Sequence, residues 1–271
     1  MKDPLWSVIL AFRRALGAEN ELGGSGASRK DAGDPYRFDL EDAFGKGGCP
    51  VCLLLTRYDT RSLDSLLYEF VNDVGVRYEI RQTLGFCNYH AWVLHQVATD
   101  LTSGKLSVGG GQMGIGIIYL DLVETLIERL KALSSSVSKR HAKAPATVSK
   151  RTGSLCSMCN ARAQFELWYL ESILRNIAIK DFVEKYAACD GLCAIHLLRV
   201  LKLSGFDANK RVIATAEIKR LEELSVDLHE FLRKHDYRYA GEGFGKEGDS
   251  WLRAVRKISG ERHAAPTKTP S

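Results

Sequence analysis

Eight residues of this chain have the types and spacing to hold metal ions. Cys49-Pro-Val-Cys52 is followed after 34 residues by Cys87-Asn-Tyr-His90, and Cys156-Ser-Met-Cys159 is followed after 33 residues by Cys193-Ala-Ile-His196. Zinc takes four donors in a tetrahedron, with sulfur at about 2.3 Å and nitrogen at about 2.0 Å. Two ligands with two residues between them reach one ion across a single turn, so a Cys-x2-Cys pair and a Cys-x2-His pair close one shell. Linear order predicts one site from Cys49, Cys52, Cys87 and His90, and a second from Cys156, Cys159, Cys193 and His196. Each helical excursion would then bring its own two pairs together, for two zinc ions per chain. Pro50 suits a first helical turn, and Gly85 and Gly191 suit a turn just before the third cysteine of each set. Helix N-termini at the ligands would stabilise the net negative charge of a zinc ion with three thiolates and a neutral imidazole.

Other chemistries fit these residues less well. Iron–sulfur clusters also use thiolates and are the alternative cofactor, with electron transfer or redox sensing as the alternative role, although four cysteines are their usual ligands. Dithiol redox chemistry needs its Cys-x2-Cys at a strand-to-helix junction. Here Gly45 to Gly48 precede the first motif and Cys156-Ser-Met-Cys159 lacks the proline. Zinc deaminases join His-x-Glu to a later Pro-Cys-x2-Cys, whereas His90 is followed by Ala91 and Trp92. A fully ligated Cys3His zinc also has no open position for hydrolysis. Gly109-Gly-Gly-Gln-Met-Gly114 matches G-x-G-x-x-G but lacks the βαβ context and reads as a loop that starts a helix. Cys189 stands outside the pattern, as a buried thiol or a substitute ligand. Trp92, Trp168 and Trp251 are expected in the core, and His95, His229 and His235 on the surface or in the core. No catalytic constellation emerges, so binding is expected and not catalysis.

The elements that must position these ligands are helices. Leu55, Tyr58, Leu63, Leu66, Leu67, Phe70 and Val74 keep mostly i, i+3, i+4 spacing, as do Phe165, Tyr169, Leu170, Ile173, Leu174 and Ile177. Further helices are expected over about 113–133 and 207–234. No useful alternating strand pattern occurs, which makes the fold all-α. The two motif sets align with matched positions between them (Leu63 with Leu170, Ser65 with Ser172, Leu67 with Leu174, Val76 with Val183, Gly85 with Gly191), the signature of an internal duplication. The expected organisation is an amphipathic N-terminal helix and linker over 1–34, a first module over 35–133, a basic linker over 134–154, a second module over 155–262 and a disordered tail over 263–271.

Bulk properties narrow the setting. Thirty-eight Lys and Arg against 33 Asp and Glu leave a net charge of +5, a mild excess. Lys139, Arg140, Lys143, Lys150 and Arg151 form a basic stretch without acidic neighbours, but no aromatic stacking motif accompanies it. Nucleic-acid binding is therefore expected to be weak and non-specific at most, lost near physiological salt. Seven cysteines, an odd number, argue against a closed disulfide framework and for metal chemistry in a reducing compartment. No apolar run approaches the roughly 18 residues of a membrane span. The short run Leu5 to Phe12 has no small-residue cleavage site after it. A cytoplasmic protein with an unidentified protein partner is the expectation.

The motifs Cys49-Pro50-Val51-Cys52 and Gly85-Phe86-Cys87-Asn88-Tyr89-His90 resemble those of an uncharacterised prokaryotic family that repeats a Cys-Pro-x-Cys and Gly-Phe-Cys-x2-His pattern. The second copy departs from it, to Cys156-Ser157-Met158-Cys159 and Gly191-Leu192-Cys193-Ala194-Ile195-His196, without touching a ligand. His235-Asp236-Tyr237-Arg238 and the region of Trp251 share the resemblance, which runs from about Pro35 to Gly260. It implies no activity.

Overall fold

The computed structural model describes residues 34–99, 110–137, 156–239 and 241–262. The expected N-terminal helix, the basic residues from Lys139 to Arg151 and the tail from His263 lie outside them. Among the described residues the protein is all-α, without a strand. In chain order the helices are α1 (Arg37–Phe44), α2 (Pro50–Ser65), α3 (Val74–Gln82), α4 (Asn88–Thr99), α5 (Gly110–Val137), α6 (Ser157–Asn176), α7 (Lys180–Ala188), α8 (Ala194–Lys202), α9 (Asp207–Lys234) and α10 (Ser250–Ser259). A π-helical turn, Leu66–Phe70, follows α2. No helix among the described residues is long and apolar enough to cross a membrane.

Contacts divide the described chain into two compact units: Arg57–Ala163, and 34–56 with 164–262. The divisions fall within α2 and α6, whereas the sequence places a linker at 134–154, the first four residues of which continue α5. In the first unit α5 packs on α4, on α3 and on the π-helical turn. Ile118 and Leu122 are buried on its inner side, and Leu63, Leu66, Leu67, Val76, Ile80 and Leu94 are buried in the same unit. In the second unit one core joins Leu40, Phe44, Val51 and Leu55 to Leu170, Ile173, Leu174, Phe182, Tyr186 and Ile213. Phe44 sets its ring edge-to-face against Phe182, with centroids 5.2 Å apart, a preferred aromatic geometry.

Three expectations change. The glycine run is not a loop, since Gly110, Gly111 and Gly114 lie in the first turns of α5. A Cβ on Gly114 would come within 3.1 Å of Leu67, so close packing explains that glycine. Trp92 and Trp251 are 61% and 53% exposed and belong to no core, because helical spacing sets a residue's face but not what covers it. Trp168 stacks on Tyr36 at a centroid distance of 5.5 Å.

Candidate metal centres

Cys49, Cys87, Cys156 and Cys193 each stand immediately before a helix, α2, α4, α6 and α8. Each accepts that helix's first hydrogen bond through its carbonyl, from Leu53, Ala91, Asn160 and Leu197. These are N-cap positions. The second ligand of every pair, Cys52, His90, Cys159 or His196, is then the third residue of the helix, on the same side one turn on. The approach to Cys87 is set by the end of α3. Gly85 donates to Ile80 O at 2.8 Å and Leu84 to Arg81 O at 3.1 Å, a Schellman closure. It requires φ of +50° at Leu84 and +90° at Gly85. Gly191, at φ +73°, turns the chain before Cys193, and a Cβ there would collide with the Glu217 carboxylate.

The fold brings all eight residues into two clusters, and the pairing differs from linear order. One cluster is Cys49, Cys52, Cys193 and His196, and the other is Cys87, His90, Cys156 and Cys159, with all four donor atoms of each within 4.8 Å of one another. Every cluster thus takes its Cys-x2-Cys from one half of the chain and its Cys-x2-His from the other. Within the first unit His90 packs beside Asp59, seven residues along α2 from Cys52, and within the second His196 packs beside Glu166, seven residues along α6 from Cys159, so neither Cys-x2-His pair returns to the start of the helix that precedes it.

In the first unit Nδ1 of His90 lies 3.2 Å from Cys87 Sγ, 3.4 Å from Cys156 Sγ and 3.4 Å from Cys159 Sγ. In the second, Nδ1 of His196 lies 3.4 Å from Cys49 Sγ, 3.4 Å from Cys52 Sγ and 3.2 Å from Cys193 Sγ, and the Cys52 and Cys193 sulfurs are 3.7 Å apart. A tetrahedral zinc shell has edges of about 3.5 Å from sulfur to nitrogen and about 3.8 Å between sulfurs. The donors fit one four-coordinate ion per cluster. All four ligands of the second unit are buried, while Cys87 and Cys159 are partly exposed.

Two carboxylates missing from the sequence reading complete the sites. Asp59, fully buried, places Oδ1 3.3 Å from His90 Nε2 and accepts at Oδ2 from Arg162 at 2.5 Å and from the Tyr89 hydroxyl at 3.1 Å. Glu166, also buried, places Oε1 3.4 Å from His196 Nε2 and pairs through Oε2 with Arg199. Among the described residues neither Glu166 Oε1 nor His196 Nε2 makes a hydrogen bond, and each faces the other at 3.4 Å. A carboxylate at Nε2 favours the tautomer with its proton there, which frees Nδ1 to ligate. The arginine offsets the carboxylate's charge. The sequence held the signal, an acidic residue seven positions after Cys52 and again seven after Cys159.

Burial opposes charging of His90, yet its bonds to Asp59, Cys156 and Cys87 outweigh that and raise it to about 11. Burial likewise opposes charging of His196, and Cys193 and Cys52 raise it to about 9. The neighbouring thiols Cys156 and Cys159, then His90, hold Cys87 far below the ordinary thiol range. Cys49 and Cys52, with His196, do the same for Cys193. Burial pushes Cys49 up. Each cluster thus holds one thiol low beside a histidine held high. Cys189 belongs to neither cluster. Its thiol donates to Tyr186 O at 3.2 Å and accepts from Gly191 N at 3.3 Å.

The carboxylates carry a prediction. Glu166→Gln keeps the shape and removes the charge that orients His196. Metal affinity at that cluster is expected to fall about 10–100-fold, read by competition with a chromophoric chelator, with helical content retained. Affinity equal to wild type would show that the carboxylate does not act on the site.

No solved structure matches this chain. An "Uncharacterized 23.9 kDa protein in xynA 3'region" of Caldicellulosiruptor sp. (strain Rt8B.4) is 26% identical over 220 residues, which span 80% of this chain and 97% of the relative. The family profile described as "Family of unknown function (DUF6062)" matches residues 34–265, a stretch that takes in all eight residues of the two clusters, and the chain belongs to that family.

Proposed function

We propose that each cluster holds one zinc ion, and that the protein acts by binding, with the two ions fastening its helices and not catalysing a reaction. The observation that carries this is the convergence of three sulfurs and one imidazole nitrogen on a single point in each unit, within 4.8 Å of one another. Three thiolates and a histidine are a common structural zinc set. A two- or four-iron cluster distributes its ligands over several iron atoms, and converging donors favour a mononuclear ion. A shell filled by four protein ligands leaves no position for a substrate. When bound, each ion would tie two helix N-termini together, those of α4 and α6 in the first unit and those of α2 and α8 in the second, and structural zinc contributes folding energy directly. Thiolate ligands would suit a reducing compartment such as the cytoplasm.

Elemental analysis of the purified protein is expected to return two zinc ions per chain and a colourless solution. Under a graded chelator challenge the first ion should leave the cluster with the more exposed Cys87 and Cys159. Brown protein with visible absorbance and stoichiometric iron and sulfide would replace the zinc reading with the iron–sulfur one. One metal per chain would mean that one cluster is not a site.

A further inference from the structure

Helix α5 buries only part of its surface. Gly111, Gly114, Ile118 and Leu122 face inward, and beyond Leu122 none of its residues through Ser134 is fully buried. On the outer side Met113, Leu120, Val123, Ile127 and Leu130 are 44–70% exposed. Their spacing follows a heptad: Met113, Leu120 and Ile127 recur every seventh residue, and Gly116, Val123 and Leu130 form the second series. That is the seam of a two-helix coiled coil.

We propose that α5 is a homodimerisation surface, on which α5 of a second copy packs antiparallel. The charges beside the seam select that partner and direction. Glu124 and Lys131 occupy the same flanking series, seven residues apart and opposite in sign. In an antiparallel pair such positions face each other across the interface. With Leu120 opposite the last turn of the partner's helix, Glu124 meets the partner's Lys131 and Lys131 the partner's Glu124. A parallel pair would set Tyr119 and Leu126 against these charges and form no ion pair. The face is therefore complementary to itself under a two-fold axis, as an isologous dimer requires.

Sedimentation and light scattering on the full chain test this. The expected mass is twice 30.1 kDa. Leu120→Glu with Ile127→Glu changes two exposed residues and should raise the dissociation constant about a hundredfold or more, with metal content and helicity unchanged. Glu124→Lys alone should weaken the dimer, and adding Lys131→Glu should restore it. Three results would overturn the proposal: a wild-type monomer at micromolar concentration, a dimer indifferent to the double glutamate variant, or no rescue by the charge exchange. A monomer that dimerises only after removal of residues 1–28 would assign the face to the chain's own N-terminal segment. Metal content is read in every sample, so failure here and failure of the zinc reading are separate results.

Discussion

Cleaving the chain between Val137 and Cys156 is expected to leave two fragments that stay together until their metal is removed. All of Cys49, Cys52, Cys87 and His90 precede the cut, and all of Cys156, Cys159, Cys193 and His196 follow it. Each cluster draws two ligands from either side, so both ions would bridge the fragments. Apolar burial helps, because the second unit's core joins Leu40 to Leu55 with residues from Tyr169 to Ile213. Structural zinc contributes about 10–16 kcal/mol to zinc-finger peptides at neutral pH. Even a fraction of that, applied twice, makes the nicked pair inseparable at micromolar concentration. A protease site engineered into this stretch, followed by size-exclusion chromatography with and without chelator, reads the result. Chelation should weaken the association by about a thousandfold or more. Fragments that separate without chelator, each carrying its own ion, would restore the linear pairing and remove the exchanged one.

Metal counts in paired variants give the second large effect. Cys49→Ala with Cys193→Ala damages one cluster twice, so one ion per chain should remain, held by Cys87, His90, Cys156 and Cys159. Cys49→Ala with Cys87→Ala damages both clusters, and essentially no tightly held ion should remain. Linear pairing exchanges these outcomes, zero for the first variant and one for the second. The physical basis is simple. A four-ligand shell that loses a thiolate loses much of its binding energy and exposes an open position to water. A second loss in the same shell then costs little, while a loss in the other shell costs as much again. Thermal unfolding should follow the counts, with the Cys49→Ala and Cys87→Ala combination the less stable of the two. Equal metal content in both variants would reject the two-cluster assignment.

That these eight residues could gather at helix starts was legible in the sequence because the requirement is local. An N-cap cysteine and a donor three residues on share one side of a helix start whatever lies beyond. Gly85 and Gly191 were legible for the same reason, since a positive φ before the third cysteine needs glycine. The all-α fold followed from apolar periodicity, and α9 occupies the predicted span of 207–234. Asp59 and Glu166 were present as a repeated acidic position, but an acidic residue on a helix is ordinarily solvated. Only their burial beside His90 and His196 reveals what they do.

The pairing of the ligands was decided by the tertiary structure. Both pairings satisfy the same spacing, because every Cys-x2-Cys end is chemically able to join either Cys-x2-His end. What separates them is where along α2 and α6 each Cys-x2-His pair packs. His90 meets α2 at Asp59 and His196 meets α6 at Glu166, so each Cys-x2-His joins the Cys-x2-Cys of the chain's other half. The same limit explains Trp92 and Trp251, whose exposure depends on which helices pack over them, and Gly114, whose place inside α5 depends on Leu67. By itself the sequence determined which atoms can bind a metal and on what elements they sit. The packing of those elements, a balance of helix length and apolar burial summed over the whole chain, determined which of them meet.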